Sequence, residues 1–148
     1  MSLDWVDEGD NCHHQRTIEH EFLHGMGFLH EQSRPDREKH IKIHFDRIKD
    51  DWHDQFREMK YWHNMSSPYD KRSVMHYSWD SFQTSDAYDE DLPVMTDLIT
   101  GERVQYPLQT RMSSQDVFQL AAMYSDFCPA MTRRTCDNGD EYLANFAW

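Results

Sequence analysis

The chain has 148 residues, 14% of them aromatic, which is enough apolar material for one domain with a modest core. Its formal net charge is −12 with histidine neutral, and the acids cluster at residues 4–10, 86–91 and 137–141. Such a surface repels nucleic acid and anionic membranes, so neither is an expected partner, and no apolar run approaches the length of a membrane span.

Residues 1–11 are acidic and aperiodic, which predicts a loop or a frayed end. Met1 leads directly into Ser2-Leu3-Asp4-Trp5, without the basic start and apolar run of a signal peptide. From Gln15 to Met26 the pattern is helical. Ile18, Phe22 and Met26 recur every fourth residue as an apolar stripe, while His20 and His24 fall on roughly the opposite side. Gly27 is placed to stop this helix, because glycine takes the left-handed turn without strain.

Residues 39–45, KHIKIHF, alternate apolar with polar and predict a short strand. Residues 46–59 predict a second helix with Ile48, Trp52, Phe56 and Met59 on one face. Breakers dominate residues 60–112, where loops with short strands are expected. Ser113 and Asp116 form a capping box at the head of a last helix carrying Val117, Leu120, Ala121 and Tyr124. After Cys128-Pro129 the pattern lapses into a tail or the stub of a further module.

Three cysteines, Cys12, Cys128 and Cys136, cannot all pair within one chain, and their spacing fits no cysteine-only zinc site. Either a thiol is free or its partners lie on other polypeptide. Asn64-Met65-Ser66 is an acceptor for N-glycosylation in a secreted chain.

The chemistry concentrates in HEFLHGMGFLHE, residues 20–31. Two histidines one helical turn apart direct their rings to a common point, which supplies two ligands for a zinc ion. If the helix stops at Gly27 and the chain turns back, His30 supplies the third. Three neutral imidazoles leave a fourth position open, and an open position distinguishes a catalytic from a structural zinc site. Glu21, about 100° round the helix from His20, is near enough to act on a water there without being a ligand. Glu21 is therefore the candidate general base.

The extended spacing HExxHxxGxxH resembles that of the metzincins, whose members share a methionine-containing turn below the metal. Ser73-Val74-Met75-His76-Tyr77 looks like that turn, and Glu31 directly after His30 makes the resemblance specific to the astacin family. Ser33-Arg34-Pro35-Asp36-Arg37 and the last helix match in the same way. The resemblance implies a zinc endopeptidase acting on protein or peptide substrates, with one Zn2+ per chain. It assigns His20, His24 and His30 as zinc ligands, Glu21 as base and later proton donor, and Tyr77 as a phenol that ligates zinc at rest or hydrogen-bonds the oxyanion. Met75 becomes an apolar floor, and His76 receives no role.

The implied fold is α+β, a zincin-like metzincin catalytic domain that is incomplete: the active-site helix plus a C-terminal lobe with few short strands and two further helices. The implied organisation is an acidic segment at 1–11, the catalytic domain at 12–128 and a tail at 129–148. In the family an N-terminal sheet precedes the zinc helix, whereas residues 1–19 are too few to form one. The alternative reading is therefore a truncated, catalytically weak or inactive zinc-binding remnant. Cys12 and Cys128 match family cysteines with partners in the absent lobe, and the implied address is extracellular. Arg103 and Arg111 are either an acid-preferring element of the substrate site or ordinary loop charges offset by nearby acids.

Overall fold

The computed structural model describes residues 15–60, 67–104 and 111–125. The expectations for the acidic N-terminus, Cys12, the Asn64 acceptor, Cys128, Cys136 and the tail lie outside the described residues.

Helix α1 spans Gln15–Gly25. It ends where the sequence places its stop. The amide of Gly27 donates to the His24 carbonyl and that of Phe28 to the Leu23 carbonyl, both at 3.0 Å, with Gly27 at φ +90°. This is a Schellman cap with glycine at the left-handed position, closed by the apolar contact of Leu23 with Phe28. Leu23 is the buried residue of α1, whereas Ile18 is 44% and Phe22 61% exposed. The predicted apolar stripe thus looks outward along most of its length, and only its last member, Met26, packs against the Leu23 cluster.

Strand β1, Ile41–Ile43, pairs antiparallel with β2, Met95–Asp97, with Ile41 opposite Asp97 and Ile43 opposite Met95. Ile41 and Ile43 point inward and Lys42 outward, the alternation read from the sequence. The ladder anchors a core of Ile41, Ile43, Ile48, Phe56, Val94, Met95 and Val104. A second core of Leu23, Phe28, Val74 and Met75 lies beneath α1 and is closed from below by Met112, Leu120 and Met123.

The helix predicted over residues 46–59 is not an α-helix. The segment forms two 3-10 turns, Phe45–Arg47 and Asp50–Phe56, broken at Ile48, which is extended at φ −108° and ψ 139° and bridges to Gln83. Tertiary contact overrides the periodic pattern here. Ile48 is drawn into the bridge, Phe56 into the core, and Trp52 stacks on Phe82 with ring centroids 4.2 Å apart. Those three anchors suit the tighter spiral better than a continuous α-helix.

Helix α2, Ser85–Asp89, lies in the stretch where only loops and short strands were expected, with the Thr84 side chain accepting from the Ala87 amide as its cap. Helix α3, Ser114–Met123, opens on the predicted capping box of Ser113 and Asp116. No helix among the described residues is long and apolar enough to cross a membrane.

Candidate metal centre

Helix α1 carries His20 and His24, and the Schellman cap returns the chain so that His30 meets them. The His30 Nε2 atom lies 3.1 Å from that of His24 and 3.2 Å from that of His20. A tetrahedral ion bound at about 2.0 Å would separate its nitrogen ligands by about 3.3 Å, close to these spacings. Among the described residues this is the grouping of histidine, cysteine or carboxylate atoms that fits a metal ion.

Hydrogen bonds to backbone carbonyls set the tautomers of two of the rings. His20 Nδ1 stands 2.9 Å from the Val74 carbonyl and His24 Nδ1 2.9 Å from the Phe28 carbonyl. A carbonyl can only accept, so each Nδ1 carries the proton and each Nε2 presents a lone pair to the common point. Burial lowers the pKa of His20, and burial with the neighbouring His24 and His20 rings lowers that of His30 to about 3. His20 and His30 are consequently neutral near pH 7, the form that binds a metal.

The turn at residues 73–77 lies under the triad. Met75 and Val74 are each 1% exposed and pack on Leu23 and Phe28. The Glu31 amide donates to the Met75 carbonyl at 3.0 Å, tying the segment after His30 to the turn. From the other side Asp116 of α3 accepts the Ser73 hydroxyl at 2.6 Å and the Val74 amide at 2.9 Å. The capping residue of α3 is thus also the tether of the turn.

Tyr77 places its ring 4.4 Å from that of His30, centroid to centroid. Its amide donates to Gln32 Oε1 at 3.1 Å and its hydroxyl to Gln55 Oε1 at 3.3 Å. Burial raises the phenol pKa, which keeps it protonated and able to donate. Glu21 is half-buried on α1 beside His20, whose pKa its charge raises against the stronger effect of burial. Arg103, for which the sequence left open a substrate element or a loop charge offset by nearby acids, pairs with Asp91 at 2.6 Å and lies 4.2 Å above the Trp79 ring, in keeping with the second. Arg111 is half-buried.

His76 was missed by sequence reasoning. It is 2% exposed, donates from Nδ1 to the Tyr77 carbonyl at 2.7 Å and accepts the Tyr69 hydroxyl on Nε2 at 2.9 Å. The available signal was its position between Met75 and Tyr77. Burial lowers its pKa to about 4. The unfolded chain therefore takes up a proton near pH 6.5 that the folded chain refuses until about pH 4. His76 contributes stability that is fully present above pH 6.5 and is lost as pH falls through this window, by up to about 3 kcal/mol. Urea unfolding of the metal-free chain between pH 7.5 and pH 4 is expected to show this loss. A His76→Gln variant should show a smaller one, and an unchanged slope in that variant would disprove the assignment.

A histidine triad on a helix and its return loop, floored by a methionine turn, defines a metzincin-type centre in a mixed helix and strand framework. The model of the peptidase family Astacin matches residues 4–125, and the chain belongs to the astacin family. It is 34% identical to meprin A subunit alpha of Rattus norvegicus over 81% of this chain and 16% of that protein. It is 33% identical to zinc metalloproteinase nas-13 of Caenorhabditis elegans over 88% of this chain and 27% of that protein. Among solved structures it resembles high choriolytic enzyme 1, a hatching enzyme zinc-protease from Oryzias latipes, with a TM-score of 0.65 at 29% identity. That match covers 74% of this chain and 52% of the other. The chain thus spans about half of this solved relative and under a third of the two curated ones.

Proposed function

We propose that His20, His24 and His30 hold one zinc ion per chain and that the centre hydrolyses peptide bonds in extended polypeptides. The observation that carries this reading is the convergence of three Nε2 atoms, two of them fixed as lone-pair donors by the Val74 and Phe28 carbonyls. When bound, zinc supplies the Lewis acidity that lets a water lose its proton near neutral pH. Glu21 takes that proton and passes it to the departing amine. The protonated Tyr77 phenol donates to the oxygen on which negative charge develops, where a positioned donor is worth most. The family supports protein or peptide substrates and an extracellular address.

Incubating the chain with stoichiometric zinc and a fluorogenic peptide library, beside a Glu21→Gln variant, tests this reading. Cleavage is expected to fall at least about a hundredfold in the variant while zinc stays bound. Equal cleavage in both would remove Glu21 from the chemistry. A second reading, a zinc-binding chain that does not cleave, is favoured by the exposure of Phe22 and Ile18 on α1. Silence in both proteins with zinc bound supports that second reading.

A further inference from the structure

We propose that Asp116 is a positioning residue of the metal centre, acting on His20 through a directed relay of hydrogen bonds; this rests on the reading of His20 as a ligand. The relay has four members. Asp116 is 2% exposed, and its Oδ1 accepts the Ser73 hydroxyl proton at 2.6 Å. Ser73 Oγ in turn accepts the Met75 amide at 2.9 Å. That amide and the Val74 carbonyl are the two ends of one peptide group, and the carbonyl accepts His20 Nδ1–H at 2.9 Å.

Every direction in the relay is dictated. The Met75 amide can only donate, so Ser73 Oγ accepts there and gives its single proton to Asp116. The Val74 carbonyl can only accept, so the imidazole donates. Hydrogen bonds aligned in one sense polarise one another. The carboxylate makes the serine oxygen a better acceptor, the serine shifts density in the peptide toward its carbonyl oxygen, and that oxygen draws harder on Nδ1–H. The far nitrogen, Nε2, becomes the more basic donor to a cation. Asp116 itself is held by the amides of Val74 and Ser113, each 2.9 Å from Oδ2, so its position does not depend on the relay alone. His24 is different: its acceptor, the Phe28 carbonyl, belongs to the helix cap and not to the turn that Asp116 holds.

Two alanine variants separate this role from simple capping of α3. Ser73→Ala opens the relay but keeps the Asp116 bonds to the Val74 and Ser113 amides. Ser113→Ala removes the hydroxyl that caps the Asp116 amide and leaves the relay intact. Each is titrated with Zn2+ against a chromophoric chelator, and the Nδ1–H proton resonances of His20 and His24 are read in the zinc-loaded chain. Ser73→Ala is expected to weaken zinc about tenfold and to move the His20 resonance upfield while that of His24 stays. Ser73→Thr, which keeps the hydroxyl, is expected to restore both. Ser113→Ala should lower the unfolding temperature and leave affinity and both resonances in place. If Ser73→Ala fails to fold, Asp116→Asn reports in its stead and should move the His20 resonance alone. Unchanged affinity and His20 resonance in Ser73→Ala, or equal shifts in both histidines, overturn the relay. A parent chain whose histidine resonances ignore zinc overturns the reading of the triad as a metal site, and the relay with it.

Discussion

Replacing His24 by alanine is expected to lower zinc affinity more than a hundredfold. Loss of a partner that merely orients a ligand costs about 10- to 100-fold, and removal of the ligand itself exceeds that. The remaining pair, His20 and His30, has Nε2 atoms 3.2 Å apart and keeps its place, because the Val74 carbonyl still orients His20 and the Glu31 amide still ties the His30 segment to Met75. The defect should therefore lie in affinity and not in folding. Competition against a chelator, with circular dichroism to confirm the fold, reads both. His53→Ala is the control, since that ring bonds the Ile48 carbonyl away from the triad. A variant binding zinc within tenfold of the parent would place the ion elsewhere.

The second large effect concerns stability. Arg34 is fully buried and, among the described residues, donates to both oxygens of Asp36 at 2.9 and 3.0 Å, to Glu31 Oε1 at 3.1 Å, and to the carbonyls of Ser67 and Pro68 at 3.0 and 3.1 Å. Glu31 is 2% exposed, and burial raises its carboxyl to about 7 against the opposing pull of the Asp70 amide and Arg34. Arg34→Met preserves much of the volume but leaves that carboxylate buried with the Asp70 amide, donating at 2.8 Å, as its remaining hydrogen-bond partner among the described residues. The expected cost is about 3–5 kcal/mol in urea unfolding of the metal-free chain at pH 8. The cost should shrink at pH 5.5. At pH 5.5 both folded forms hold a proton on Glu31 that the unfolded chain does not yet bind, but the variant's carboxyl, without the lowering effect of Arg34, lies higher than the parent's and gains more from that uptake. An equal cost at both pH values would show that the lost carbonyl contacts, and not the orphaned charge, are responsible.

These two arginine and histidine systems differ in how far the sequence announces them. The triad is written locally: a four-residue spacing, a glycine that can turn left and a third histidine just beyond it determine one another within residues 20–30. The Schellman cap at Gly27, the strand at Ile41–Ile43 and the capping box at Ser113 were legible for the same reason, since each rests on neighbours in the chain. The remainder depends on partners far away in sequence. Nothing near Ile48 says that it will bridge to Gln83 and break a helical pattern. Nothing near Asp116 reveals that one carboxylate both caps α3 and holds the turn at Ser73 and Val74. His76 likewise needed Tyr69 to give it a place. Periodicity reads which face is apolar; it does not read which surface that face will meet.

The compactness of the triad in sequence also bears on how metal and folding are linked. All three histidines lie within one short segment, and closing so small a loop costs an unfolded chain little entropy. The denatured ensemble can then gather the same imidazoles around an ion, although without the Val74 carbonyl to select the tautomer of His20. A ligand that binds both states stabilises the native one only by the ratio of its two affinities. Zinc should thus raise the unfolding temperature by less than its affinity for the folded chain alone would give. The shortfall measures how much of the site exists before the turn at residues 73–77 has arrived beneath it.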